Sequence, residues 1–263
     1  MSPVQRAINV PRINRLCFKV WRRNFLHFRK TFFVSLLWVA WEPTLYLVAL
    51  GYGLGAYVTQ MNGISYVEFL FPGLLCLTAM LGSFFESTYG TFHKLSFQKT
   101  FQTILMTPVG ANEVVFGEIL WSASKGFLGV IGVTIVGAMF GMVTTVNILP
   151  ALLCLFLICW MFAAMGMLVT SIAKNYDSFI YSTSGFITPM TMISGIYFPL
   201  QQSSATIQFL TYILPLRYAN DAVRQILSGD YNNRLLIFIV VIFGVGYLCQ
   251  NLAMFRIRRK LIQ

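Results

Sequence analysis

Charge is scarce in this chain: Asp, Glu, Lys and Arg make up only 10% of its 263 residues. A soluble domain carries about 25%. With 57% of the residues hydrophobic, most of the chain belongs in a bilayer. Polar stretches are also short, none longer than roughly 35 residues, which is below the size of an independent domain. Histidine is nearly absent. His27 and His93 stand far apart beside cations, so Ser/His/Asp catalysis has no credible members. A lipid-modifying enzyme would need clustered His, Asp or Glu at one interface, and no such cluster occurs. There is no GxxxxGK[ST], so the chain holds no P-loop for ATP. Gly51, Gly53 and Gly55 close an apolar run instead of joining a strand to a helix, which excludes a dinucleotide fingerprint. The five cysteines are Cys17, Cys76, Cys154, Cys159 and Cys249. They are scattered, with no CxxC or Cys/His spacing, and read as free thiols. No cofactor and no metal is expected on this chain.

What is present is a basic surplus, +11 in formal charge. Its placement speaks against nucleic acid. Eight of the nineteen Lys and Arg precede Thr31 and four follow Met254. In a membrane protein such clustering is the positive-inside signal. The N-terminus is basic and polar for thirty residues and shows no secretory cleavage pattern.

Six spans are expected, near Thr31–Gly53, Phe69–Gly90, Val114–Phe140, Ile148–Ile172, Phe179–Pro199 and Leu235–Phe255. The segments 54–68 and 141–147 lack Lys and Arg. The far side holds only Arg217, Arg224 and Arg234, so both termini are expected to be cytoplasmic. The organisation expected is a tail with an amphipathic interface helix over 1–30, a helical membrane domain over 31–255 and a basic tail over 256–263.

Arg12, Arg15, Lys19, Arg22 and Arg23 recur at helical spacing, with Leu16, Val20 and Trp21 on the other side. Two readings fit: a helix lying in the headgroup plane, or a basic cytosolic tail. Between spans two and three, Phe97 to Met106 reads as a short helix stopped by Pro108 and Gly110. Phe101, Ile104, Leu105 and Met106 would form an exposed docking knob, or a face resting on headgroups. Glu113 then opens span three, where a carboxylate suits the positive end of the helix dipole. That span also carries Gly137 and Gly141 in a GxxxG.

Glu42, Glu86 and Lys125 fall inside spans, where each is costly unless paired or wetted. Glu86 sits among Phe84, Phe85 and Tyr89. It fits a lining for an amphipathic head group, or a structural partner for Lys125. The fifth span is irregular, with Ser184, Gly185, Thr188 and Thr191 around Pro189. The apolar run from Ala205 to Leu216 is too short to cross a bilayer that needs roughly 20 residues. It is expected to dip in and return, or to lie at the interface.

Several of these residues carry a resemblance. Leu105-Met106-Thr107-Pro108-Val109, with Glu113 and Gly117-Glu118-Ile119-Leu120, resembles the loop after span two in ABC-2 type permeases. Ile187-Thr188-Pro189-Met190, Tyr197-Phe198-Pro199-Leu200 and Leu214-Pro215-Leu216 resemble that family's C-terminal signature. Trp21-Arg22-Arg23-Asn24, Glu86-Ser87-Thr88-Tyr89 and Tyr176-Asp177-Ser178 are similar to its lipo-oligosaccharide exporter branch, the nodulation protein NodJ type.

The resemblance implies an all-α membrane protein that is not itself an enzyme. It would work in a bacterial cytoplasmic membrane, as a second copy of itself paired with two copies of a separate ATP-binding subunit. ATP and Mg would sit on that subunit. Phe97, Phe101, Ile104, Leu105, Met106, Thr107 and Pro108 would form the coupling helix, with a second contact at Lys174 and Asp177. Re-entrant helices would follow Pro199, with Tyr197, Phe198, Pro199, Leu214 and Pro215 at an outer gate. Glu42, Phe85, Glu86, Tyr89, Ser184, Thr188 and Thr191 are expected near the path of an amphipathic substrate such as a glycolipid, lipo-oligosaccharide or drug. Family members often carry Leu-Pro where this chain has Gln201-Gln202-Ser203-Ser204. The competing expectation is a proton-coupled transporter using Glu42 and Glu86. It would have to work without the inverted repeat usual in such folds.

Overall fold

A computed structural model describes residues 14–32, 41, 44–53, 55, 57, 60–61, 63–142, 147–200 and 204–262. Glu42, Gln201, Gln202, Ser203 and much of the expected first span lie outside the described residues. Of that span, 44–48 are helical and Ala49–Gly53 form a π-turn. A two-stranded antiparallel hairpin follows, β1 (Gln60–Met61) against β2 (Ile64–Ser65). Gly63 supplies the positive φ of its turn, +83°.

Among the described residues four helices are long and apolar enough to cross a membrane: Tyr66–Phe97, Ala111–Met139, Ile148–Ile172 and Arg234–Leu261. The first begins as α2 (Tyr66–Phe85). It starts three residues before the expected Phe69 because Ser65 and Glu68 make a reciprocal capping box. It continues beyond Phe85 through two π-turns, Glu86–Gly90 and His93–Phe97. A widened turn leaves a carbonyl out of register, and hydrocarbon offers no water to satisfy it. Here Thr170 Oγ1 donates to the Ser87 carbonyl at 2.8 Å, and Ser87 Oγ donates to the Ala163 carbonyl at 2.6 Å.

The short helix after it is α3 (Thr100–Leu105), narrower than expected because Lys99 takes a left-handed φ of +50° just before it. Next come α4 (Ala111–Met139) and α5 (Ile148–Ile172). Gly141 closes α4 with φ +73°, and the Met142 N–H donates to the Gly137 carbonyl at 2.9 Å. Gly141 therefore ends a helix and does not pack one, which corrects half of the GxxxG expectation. Gly137 does pack: a Cβ there would meet the Phe71 ring at 2.3 Å.

The fifth apolar segment, α6, is broken into Asp177–Ser182, a π-turn at Thr183–Ile187, and Thr188–Ile193. Pro189 opens the last piece, and its missing N–H is what the wide turn accommodates. Then come α7 (Ala205–Thr211), α8 (Pro215–Ser228) and α9 (Arg234–Ile262). Neither α7 nor α8 is long enough to span. The last helix extends seven residues past the expected Phe255, carrying Arg259 and Lys260 in its final turn, where cations suit the dipole.

The interface helix is α1 (Cys17–Arg29). Cys17, Val20 and Phe28 are buried against α4, while Phe18, Phe25 and Leu26 of the same helix stay exposed. Gly117 permits this approach, since a Cβ there would lie 2.7 Å from both the Cys17 carbonyl and Val20. Helices α2, α4, α5 and α9 pack together around Leu74, Leu75, Ile119, Leu155 and Ile158, with α8 set against α2, α5 and α9.

The tightest crossing is α2 on α4, where a Cβ at Gly126 would lie 2.0 Å from Ser83 Oγ and 2.8 Å from the Ser83 nitrogen. Gly126→Val is expected to cost about 1–3 kcal/mol of overpacking and to lower the thermal midpoint of the detergent-solubilised protein by several degrees. Gly244→Ala, whose Cβ meets nothing within 4 Å, should leave that midpoint in place.

Candidate functional site

Five charged side chains from three elements meet between α1, the end of α2 and α4. Glu118, fully buried, accepts from Arg23 Nη2 at 2.9 Å and from Lys94 Nζ at 2.8 Å. Glu86 accepts from Lys125 Nζ at 2.7 Å and from Trp121 Nε1 at 2.9 Å, and Lys94 lies 3.7 Å from it. Lys94 thus bridges the two carboxylates. Lys125 also stands 5.9 Å from the centre of the Phe28 ring, and Trp21 Nε1 donates to Ser124 Oγ at 3.0 Å. Glu118 and Lys125 are seven residues apart on α4 and so share one face. By helical rise they lie about 10 and 21 Å along it.

Glu86 does join Lys125, the structural alternative set out above. Its two oxygens are engaged, which counts against a free carboxylate along a path. Phe85 and Tyr89, expected beside it, have rings 6.0 Å apart, and Phe85 is the exposed one. The residue missed as a charge is Glu118. An acidic residue within Val114-Val115-Phe116-Gly117-Glu118-Ile119-Leu120, one heptad before Lys125, was the signal that could have found it.

Two segments separated in sequence converge beside this cluster. Tyr176 stacks on Phe97 at 5.6 Å and on Tyr89 at 6.1 Å. Tyr176 and His93 Nδ1 hydrogen-bond at 3.3 Å, and Phe179 packs under Phe92 at 5.1 Å. The loop after α2 and the turn at Ala173–Ser178, the two expected coupling contacts, therefore form one surface. Lys174 and Asp177 are exposed on it, with Phe97; Met106, just after α3, is 88% exposed. Phe101 is a correction: expected on the exposed knob, it is fully buried and anchors α3 to the core. Ile104 and Leu105 are half-buried against the same core. Ile104, Thr107 and Pro108 face Leu16, Lys19 and Arg23 of the interface helix across a cleft of about 330 Å³. Arg15 and Arg22 point to the surface.

On α6, Ser184 and Thr188 share an exposed face one turn apart, while Thr191 is buried and donates to the Thr188 carbonyl at 2.7 Å. At the opposite end of the bundle, Tyr197 is half-buried, Phe198 partly exposed and Pro199 buried. Pro215 is buried at the start of α8, just after Leu214. Asn220 Nδ2 ties α8 to this turn by donating to the Gly195 carbonyl at 3.1 Å. On α8, burial pushes the Asp221 carboxyl up, against the pull of Arg217 and Arg224, and pushes the Arg224 guanidinium down.

Glu118→Gln leaves Arg23 without its counter-charge and Lys94 with only Glu86 at 3.7 Å, and the expected loss of stability is about 3 kcal/mol. A double-mutant cycle with Lys94→Met, read by thermal or denaturant unfolding, should show strong non-additivity. Additive losses would show that the two charges do not act as a pair.

The chain was compared with known proteins. The profile of the ABC-2 type transporter family matches residues 15–228. Nodulation protein J of Rhizobium meliloti (strain 1021) is 39% identical over 211 residues, covering 80% of each chain. Nodulation protein J of Rhizobium leguminosarum bv. viciae is 36% identical over 234 residues, 86% of this chain and 90% of the relative. The inner membrane transport permease YadH of Escherichia coli (strain K12) is 23% identical over 238 residues, 89% of this chain. A family match over most of the chain, relatives above 30% identity along most of their own length and four membrane-length apolar helices agree: the chain is a multi-pass membrane protein and belongs to the ABC-2 type transporter family.

Proposed function

We propose that the chain is the permease subunit of an ATP-driven exporter in a bacterial cytoplasmic membrane, with both termini cytoplasmic. Two copies pair with two copies of a separate ATP-binding subunit, which carries ATP and Mg. The cargo is an amphipathic molecule of the glycolipid or lipo-oligosaccharide kind, in keeping with the export branch to which the chain is similar. The observation that carries this reading is the surface built by Phe97, Met106 and the turn at Ala173–Ser178. Phe97 and Met106, both large and exposed, flank a six-residue helix whose own Phe101 is buried. An exposed Met on a rigidly anchored turn suits docking to another protein.

The proposed mechanism follows from what α3 touches. Nucleotide closes the paired ATPases, and they press on α3 and on the turn at Ala173–Ser178. Force passes into the end of α2, into α4 through the charge cluster and into α6 through the stacked aromatics. The π-turns at Glu86–Gly90 and Thr183–Ile187 are the places where these helices can bend. Cargo then leaves along the exposed Ser184 and Thr188 face and past Phe85, with the turn at Tyr197–Pro199 and the α7–α8 pair closing the outer side as re-entrant helices. Glu42 is proposed to line the same route. The proton-carrier alternative is disfavoured by Glu86, which two cations and an indole hold in place.

Replacing Leu105 and Met106 by Asp is expected to abolish capture of the ATP-binding subunit and transport; the exposed Met106→Asp alone should do so with little change in permease stability, whereas the half-buried Leu105→Asp also costs some. Phe101→Ala should lower stability itself, by about 3–5 kcal/mol, before it lowers capture. Unchanged capture and transport in the Asp variants would refute the docking role.

A further inference from the structure

The basic residues on the face away from the termini are few. Between the spans on that side the sequence places only Arg217, Arg224 and Arg234. All three line one cleft of about 710 Å³. Scattered arginines on this side would be unremarkable surface. Three that gather in one cavity, on the side from which Lys and Arg are otherwise excluded, call for a reason. Arg217 has a structural one. It lies on the Tyr212 ring at 4.0 Å, donates to the Gln208 carbonyl at 3.3 Å and to Thr211 Oγ1, and sits 3.7 Å from Asp221. It holds α7 against α8.

Arg224 and Arg234 are not used up in this way. Arg224 Nη2 donates to the Phe69 carbonyl at 3.2 Å and its guanidinium stacks on the Phe69 ring, but its Nε is buried without a partner. The Arg234 guanidinium has no hydrogen bond or ion pair among the described residues. Gln225, between them in the same wall, also has a buried amide oxygen with no partner. Buried orphan donors and acceptors are costly and call for an absent ligand. A lone anion would satisfy the arginines but not the acceptor. A group that carries both negative oxygens and a hydroxyl satisfies both.

The walls also set an orientation. Arg234, Ile237 and Phe238 follow at helical spacing on α9, the least buried of the four long helices. The cation therefore stands at the head of an apolar stripe that continues toward the bilayer core. A ligand with its charge at Arg234 would lay its tail along Ile237 and Phe238.

We propose that this cleft binds the hydroxyl-bearing phosphate headgroup of an anionic amphiphile, with its tail leaving along α9. Arginine forks supply the phosphate contacts, and the cleft is far larger than a bare phosphate needs. Recognition is by the permease alone, so it stands or falls separately from ATPase coupling.

The test uses the purified full-length permease without its ATPase, in a neutral detergent. Binding is measured by native mass spectrometry with dioctanoyl phosphatidylglycerol, dioctanoyl phosphatidylcholine and glycerol 3-phosphate. Phosphatidylglycerol should bind at least about tenfold more tightly than the zwitterionic lipid. Arg234→Gln should reduce that preference and Arg234→Glu should abolish it. Arg234 is exposed, so both variants should elute and melt like the parent. Arg224→Gln should act in the same direction, with its own melting curve as the folding control. Glycerol 3-phosphate binding as tightly as phosphatidylglycerol would assign the same site to a soluble phosphate ester. Equal binding of the two lipids, or full retention of the preference in Arg234→Glu, would overturn the proposal.

Discussion

A carboxylate closed off from water has to be paired, and Glu118 is paired twice, by Arg23 from the interface helix and by Lys94 from the end of the second long helix. Inside a low-dielectric bundle a missing partner would leave a naked charge, at a cost of several kcal/mol. The pairing fixes where α1 lies. An amphipathic basic helix can float on headgroups in many registers. One that places Arg23 on a buried carboxylate and Val20 on Gly117 has only one. The second pair, Glu86 with Lys125, sets the rotation of α2 against α4 in the same way, and Lys94 makes the two pairs one unit.

Two consequences follow for the surface beside this clasp. The loop after α2 is no floppy connection. It leaves a helix that ends in π-turns, reverses at the left-handed Lys99, and is pinned by Phe101 beneath α3. The turn at Ala173–Ser178 is drawn to the same place by ring stacking, since Tyr176 meets both Tyr89 and Phe97. A partner resting here would touch elements that lead into α2, α4, α5 and α6 together. The opposite end is built differently. There the polar groups lie on α8, with Asn220 tied to the turn after α6 and the arginines gathered in a cleft. The chain is thus a bundle with a rigid basic end and a polar, incompletely satisfied end.

Membrane class, the fourth span to the residue and the break at Pro189 were all legible in the amino-acid sequence. They follow from local rules: run length, scarcity of charge and the missing N–H of proline. The same rules set the amphipathic basic helix over Cys17–Arg29. The charge clasp was half legible. Glu86 and Lys125 stood out as ionisable residues in apolar runs, but their partnership is a matter of which helices cross, and Glu118, legible only as part of the Gly117-Glu118-Ile119-Leu120 motif, carries no sign in the sequence of which cations reach it. Burial of Phe101, convergence of Tyr176 on Phe97, and the gathering of Arg217, Arg224 and Arg234 join residues far apart along the chain or on different helices. No periodicity within one segment encodes such neighbours. The three-dimensional packing decided them, because the crossing of α2 and α4 at Gly126, and the seating of α1 on Gly117, are where backbone shape selects which side chains can meet.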